Sequence, residues 1–158
     1  MQMMVQNPNI FSLVKGAEEG NTKLNSFDNA LLKAGVGDTN LVRMSSIIPP
    51  NCTLVDSIDL PKGALIPIAY AAITSENPGE IISAAIGVGL PENPDEPGLI
   101  MEFEDTKPLA EVEAIVKQMV VDGYAYRKRK YREIITIGVE HTVEKTATVF
   151  AAAVLWYK

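Results

Sequence analysis

The sequence predicts a single α+β domain in which an antiparallel or mixed sheet carries at least two helices. Short runs rich in β-branched and small residues, which are typical of strands, outnumber the segments with apolar residues at helical spacing. Proline and glycine punctuate the chain evenly, and we find no repeat, low-complexity segment or linker that would divide it. The length of 158 residues suits one domain with a core of ordinary size.

The first third of the chain predicts two strands around one helix. The segment "NIFSLVKG", residues 9–16, is the first strand. It precedes "SFDNALLKAGVG", residues 26–37, which predicts a helix with Ser26 as its N-cap and Gly35 as its stop. The segment "TNLVRMSSIIP", residues 39–49, predicts one strand that contains two adjacent serines.

Three further strands are predicted in the middle of the chain. "ALIPIAYAAITS" and "EIISAAIGVGLP", residues 64–75 and 80–91, are joined by the Pro-Gly turn signal of "SENPGE", which indicates a hairpin. "PGLIMEFED", residues 97–105, is the third. Alanine and glycine are dense in "AYAAI" and "ISAAIGVG" of the first two and in "FAAAV", residues 150–154, of the last strand. This predicts close packing of sheet on sheet or of subunit on subunit and favours a homo-oligomer.

The last third predicts the clearest helix and two long strands. "KPLAEVEAIVKQMVVDGY", residues 107–124, has an early proline and one apolar face. "REIITIGVEHTVEK" and "TATVFAAAVLWYK", residues 132–145 and 146–158, predict strands that pair around residues 144–146.

Composition and charge exclude several partners. A net charge of −6 and a pI near 4.8 argue against nucleic acid or an anionic membrane. The chain has no apolar run of the roughly 18 to 20 residues that span a bilayer, and its first residues do not resemble a secretory signal. With a single cysteine, Cys52, these features predict a cytoplasmic protein. The basic run Arg127–Arg132 predicts a solvated connection, with anion binding or subunit contact as the alternative.

The usual catalytic signatures are missing. There is no phosphate-cradling GxxxxGK[ST] loop, the two GxG stretches lack a third glycine, and one histidine with one cysteine cannot form a common zinc site. His141 lies inside a predicted strand, where a structural hydrogen bond is the expected role. The pair Ser45 and Ser46 then has two interpretations, a polar step in a strand or a site of self-cleavage that generates an electrophile.

The serine pair lies in a long stretch that resembles a known family. "LNSFDNALLKAGVGDTNLVRMSSIIPP", "LPKGALIPIAYA", "PGEIISAAIGVGLP", "GLIMEFE" and "VEHTVEKTATVFAAAVLWYK" are similar, in this order, to the pyruvoyl-dependent arginine decarboxylases. The resemblance runs from about residue 11 to residue 158. It implies a layered α/β/β/α sandwich, assembled as a homotrimer or a dimer of trimers, with active sites between neighbouring subunits.

The resemblance also implies roles for individual residues. Self-cleavage between Ser45 and Ser46 would give chains 1–45 and 46–158, and Ser46 would become a covalent pyruvoyl group. Asn40 matches a residue that assists processing, for which its amide is a suitable oxyanion donor. Glu102 matches the residue that donates a proton to the substrate carbon.

The substrate implied by the resemblance is L-arginine, which would be converted to agmatine and CO₂ through a Schiff base with the pyruvoyl group. Asp28 matches the anchor of the guanidinium group, because a carboxylate accepts two parallel hydrogen bonds from it. Four apolar residues flank the substrate methylenes or pack in the core: Leu24, Leu31, Val36 and Ile47. Two alternatives stay open, the same chemistry on another amino acid or S-adenosylmethionine, and a non-catalytic assembly protein on this scaffold.

Overall fold

Two stacked β-sheets, each covered on its outer side by one helix, form the part of the chain that the computed structural model describes, residues 6–158. The helices are α1 (Lys23–Lys33) and α2 (Leu109–Arg127). The strands are β1 (Ile10–Glu19), β2 (Asn40–Arg43), β3 (Ile47–Ile48), β4 (Thr53–Leu54), β5 (Leu65–Ser75), β6 (Ile81–Pro91), β7 (Gly98–Asp105), β8 (Tyr131–Thr142) and β9 (Ala147–Trp156). The α+β class and the α/β/β/α layering are thus confirmed.

The two sheets differ in strand direction. The five-stranded sheet has the order β2-β5-β9-β1-β4, with parallel pairs at β2–β5 and β1–β4 and antiparallel pairs elsewhere. The four-stranded sheet has the order β3-β7-β6-β8 and is antiparallel throughout. β2 and β3, which flank the two serines, therefore belong to different sheets.

Small side chains allow the two sheets to approach each other closely. Alanines of β5, β6 and β9 are fully buried in the main core, where they meet larger residues such as Phe11 and Ile86 from the same interface. Because each alanine is short, the facing strand can place an isoleucine or phenylalanine opposite it without a gap. The predicted sheet-on-sheet packing is confirmed by this arrangement.

The helices pack where the strands carry glycine. A Cβ atom on Gly16 would lie 2.3 Å from the Ala30 carbonyl oxygen, so α1 can contact β1 only because that side chain is missing. A Cβ on Gly89 would lie 2.5 Å from the ring of Tyr124 in α2.

Within residues 6–158 we find no helix that could span a bilayer. The first five residues, part of the segment predicted to lack a secretory signal, lie outside the described range.

The predicted N-cap of α1 is wrong. The N-cap lies four residues earlier, at Thr22, which precedes the first helical residue Lys23 and accepts a hydrogen bond from the Asn25 main-chain amide at 3.1 Å. Ser26 is instead buried inside the helix, where its hydroxyl lies 2.7 Å from the Thr148 hydroxyl of β9. Serine is a favourable N-cap residue, but the side chain of Thr22 already caps the helix four residues before Ser26.

The predicted hairpins are also wrong. β5 and β6 lie in different sheets, and so do β8 and β9. A turn signal reverses the chain but does not decide whether the two strands pair by hydrogen bonds or stack face to face. Strands with small, apolar residues on both faces are suited to stacking, because each is covered by the opposite sheet on one side and a helix on the other.

Candidate active site

The two serines lie in a crossover between the sheets and not inside a strand. The predicted strand 39–49 is broken into β2 and β3, and residues 44–46 connect them. Ser45 is exposed, whereas Ser46 is only 6% exposed. The main-chain oxygen of Ser46 accepts a hydrogen bond from the Ile100 amide at 3.0 Å, which fixes Ser46 to β7.

The backbone at Ser46 is strained. Its φ angle is +89°, in the left-handed region that residues with a Cβ rarely occupy. Such a conformation costs about 1 to 3 kcal/mol and persists only where surrounding contacts hold it. Here the hydrogen bond to Ile100 and the pairing of Ile47 with Leu99 hold the residue in place. Strain at a buried serine marks this peptide as a candidate for chemistry.

Glu102 lies directly against the Ser46 hydroxyl. It is on β7, two residues beyond Ile100 and on the same face of the strand, because side chains alternate along a strand. The Ser46 Oγ donates a hydrogen bond to Glu102 Oε2 at 3.0 Å. A carboxylate at this distance can accept the hydroxyl proton and so generate a nucleophile.

Arg43 joins this pair, although no motif in the sequence points to it. It is the last residue of β2, and its Nη2 lies 3.5 Å from Glu102 Oε1. The same Nη2 donates to the Tyr70 carbonyl at 2.7 Å, and the guanidinium carbon lies 4.2 Å from the centre of the Tyr70 ring. The sequence shows only that Arg43 is a cation two residues before the serine pair. No spacing rule connects Arg43 to Tyr70 or to Glu102.

Glu104 adds a second carboxyl group on the same face of β7. Burial raises the pKa of Glu104, and the nearby charge of Glu102 adds to this effect, while the Arg43 cation opposes it. Glu102, Glu104 and Arg43 therefore place two acids and one cation near the junction of the two sheets. Within residues 6–158 no cluster of three or more metal-ligating side chains is present.

Comparison with known proteins identifies the family to which the chain belongs. The sequence model of the family described as pyruvoyl-dependent arginine decarboxylase matches residues 10–158. The chain belongs to this family. Proteins named pyruvoyl-dependent arginine decarboxylase from Methanocaldococcus jannaschii and Pyrococcus abyssi are 51% and 46% identical to it, over 96% and 91% of this chain and 92% of each relative. One from Methanococcus maripaludis strain C5 is 44% identical over 96% of this chain and 92% of the relative. The resemblance stated from the motifs is confirmed.

The structure brings together only some of the residues that the family resemblance selected. Ile47, about two fifths exposed, follows Ser46 and lies beside the Ser46–Glu102 pair. Asp28 and Leu24 lie on the exposed side of α1, which covers the outer face of the five-stranded sheet. In a single chain these two side chains therefore lie on a different layer from the junction that holds Ser46.

The remaining predicted residues have partners of their own. The Asn40 side-chain amide donates to the Gly63 carbonyl at 3.0 Å, at the first residue of β2. Leu31 and Val36 are buried in the core beneath α1, so the structure favours their packing role over contact with a substrate. A cavity of about 290 Å³ lies between the segment around Ile48 and the connection from β6 to β7. Neither Ser46 nor Glu102 lines this cavity.

His141 has the structural role that its position in a strand predicted. Its Nε2 is hydrogen-bonded to Glu19 Oε2, near the connection between β8 and β9. Glu19 also accepts hydrogen bonds from the backbone amides of Glu144, Lys145 and Thr146. The histidine is thus part of a turn-binding cluster and not of a serine triad at Ser46.

Proposed function

We propose that this chain is a self-cleaving decarboxylase that converts L-arginine to agmatine and CO₂ and that forms its pyruvoyl group from Ser46. The observation that carries the proposal is the Ser46 hydroxyl, held 3.0 Å from a carboxylate oxygen of Glu102 in a strained crossover. Family membership supplies the reaction class, and the local geometry supplies a reason why cleavage would occur at this serine.

Self-cleavage follows from the chemistry of this peptide. Ser46 Oγ passes its proton to Glu102 and attacks the Ser45 carbonyl carbon, which forms an ester. As the Ser45–Ser46 amide bond breaks, the departing Ser46 nitrogen takes up that proton and becomes an amine. Loss of the Ser46 Cα proton then breaks the Cβ–Oγ bond, so the oxygen leaves with the Ser45 carboxylate and dehydroalanine remains. Addition of water to its imine tautomer and loss of ammonia give the pyruvoyl group.

The fold would keep the two products together. Cleavage after Ser45 gives chains 1–45 and 46–158. The shorter chain contains β1, which lies between β9 and β4 in the sheet, and β2, which is paired with β5. These backbone hydrogen bonds and the buried side chain of Phe11 would hold it in place without the covalent link.

The residues present fit the pyruvoyl group, because they place a serine beside a proton acceptor. The group supplies an electrophilic carbonyl for the substrate amine and a sink for the electrons released with CO₂. Glu102 would return a proton to the substrate carbon, and Asn40 would support processing. The Asp28 carboxylate would bind the guanidinium group, with Leu24 and Ile47 available to its methylenes.

A homotrimer, or a dimer of such trimers, would complete the site. β2 is the edge strand on one side of the five-stranded sheet. Val42 on β2 and Leu65 at the start of the neighbouring β5 are exposed apolar residues. Exposed apolar side chains at an open sheet edge favour contact with a second copy. We infer a cytoplasmic enzyme with no nucleic acid or membrane partner, as its acidity and single cysteine suggest.

Mass spectrometry and substrate tests examine the proposal separately. The intact chain has a mass of 17.1 kDa, and we expect two shorter chains, with a blocked new N-terminus at position 46. Release of CO₂ should be far greater with arginine than with ornithine, lysine or S-adenosylmethionine. A chain that stays intact after long incubation would support the non-catalytic alternative, and equal release from all substrates would contradict arginine specificity.

A further inference from the structure

Arg43 makes three contacts that the roles above do not explain. Its guanidinium group is stacked on the Tyr70 ring, bonded to the Tyr70 carbonyl and placed beside Glu102. A surface arginine in a single ion pair is usually free to move, and such a pair contributes little. A guanidinium fixed by a ring and a carbonyl has already lost most of that freedom, so its third contact is preorganised.

The position of Arg43 follows from where β2 ends. β2 pairs with β5 as far as Arg43 and Ile68, and the Met44 amide adds a bond to the Ile68 carbonyl. Beyond that point β2 no longer covers β5, and the Tyr70 carbonyl is met by the Arg43 side chain. Arg43 therefore reaches from the end of β2 along β5 to Glu102 in the other sheet.

Arg43 also lies across the proposed cleavage point from its acidic partner. It precedes the Ser45–Ser46 bond by two residues, while Glu102 belongs to the strand that binds the Ser46 main chain. One carboxylate oxygen of Glu102 faces Arg43 and the other faces the Ser46 hydroxyl. A group that fixes the first oxygen also fixes the direction of the second.

We propose that Arg43 is a positioning residue for self-cleavage, which orients the Glu102 carboxylate toward the Ser46 hydroxyl and balances its charge. The inference rests on the proposed function and deepens it. Glu104 adds to the need for charge balance, because it lies two residues from Glu102 on the same face of β7. Without Arg43, Glu102 would be free to turn away from Ser46 and would face another acid with no adjacent cation.

The test measures cleavage of freshly produced precursor in the absence of substrate. Arg43→Ala should cleave about 10- to 100-fold more slowly than the wild type, since small errors in the placement of a reacting group carry losses of this size. Methylguanidinium added to Arg43→Ala should restore much of the rate by occupying the space beside Tyr70. Arg43→Lys keeps the charge but not the planar fork, and should fall between the two.

Arg132→Ala is the matched control, because Arg132 forms an exposed ion pair with Glu133. It should cleave at the wild-type rate and be unaffected by methylguanidinium. Wild-type cleavage in Arg43→Ala would overturn the inference, as would slow cleavage that methylguanidinium leaves unchanged. Normal cleavage with a raised KM for arginine would place Arg43 at the substrate and also overturn it. If the wild-type chain itself stayed intact, the proposed function would have failed and the role of Arg43 with it, whereas the outcomes above overturn the role of Arg43 alone.

Discussion

At the scale of single residues, Ser45 and Ser46 are identical side chains in opposite surroundings. Ser45 is exposed, whereas the Ser46 hydroxyl is buried and bonded to Glu102. We expect Ser46→Ala to remain a single chain without activity, because it lacks the attacking oxygen. Ser45→Ala keeps the carbonyl that is attacked and should cleave within about 10-fold of the wild-type rate. Mass spectrometry of both variants checks this, and cleavage in Ser46→Ala would refute the assigned site.

The residues of the site were predictable to different degrees. Ser46 and Glu102 were selected because they lie in motifs that resemble the family. No local pattern in the sequence indicates Arg43, because its contacts are with residues 27 and 59 positions away. The sequence predicts one strand through both serines, because a short polar step does not reveal that the chain passes from one sheet to the other there.

At the scale of elements, Glu19 at the end of β1 holds the connection between β8 and β9. Burial acts to raise the pKa of Glu19, but hydrogen bonds from the Lys145 amide, the His141 side chain and the Glu144 amide outweigh it and bring the pKa below its ordinary value of 4.5. Since the folded state favours the carboxylate, this stabilisation is present above that ordinary value and is lost as the pH falls through the lower folded pKa.

Glu19→Gln should therefore be less stable than the wild type at neutral pH, by about 1 to 2 kcal/mol, because the amide group brings a donor toward backbone donors. The difference should shrink as the pH falls below 4.5 and the wild-type carboxyl group becomes protonated. Urea unfolding at several pH values measures it. Glu18→Gln is the control, since Glu18 pairs with the exposed Lys33, and it should change stability little. A pH-independent difference for Glu19→Gln would contradict the electrostatic explanation.

Strand positions were predictable where strand pairing was not. The runs that became β5, β6, β8 and β9 were identified from their β-branched and small residues, which reflect burial at each position. Pairing depends on which strands meet across the core, and two turns that indicate hairpins instead connect stacked sheets. The helix α2 was identified more closely, because its apolar residues recur at the helical period along one face.

At the scale of the whole molecule, the proposed site needs side chains from separate layers. Ser46 and Glu102 come from the same chain, in which the Ser46 hydroxyl donates a hydrogen bond to the Glu102 carboxylate. Asp28 lies on the exposed side of α1, over the outer face of the five-stranded sheet. If neighbouring subunits share the site, the Asp28 that binds a substrate guanidinium belongs to a different copy from the Ser46 that reacts with its amine.

Mixed oligomers test this division. Asp28→Asn and Ser46→Ala should each be nearly inactive alone, the first for lack of a guanidinium anchor and the second for lack of the cofactor. Co-expressed in equal amounts, they should recover about one quarter of the wild-type activity, because in a cyclic assembly one interface in four then combines an intact Asp28 with an intact Ser46. Ser46→Ala mixed with Glu102→Gln should recover nothing, since both changes affect the same half of each site. Carbon dioxide release from purified mixed oligomers is the measurement. Equal recovery in both mixtures, or none in the first, would contradict a site shared between subunits.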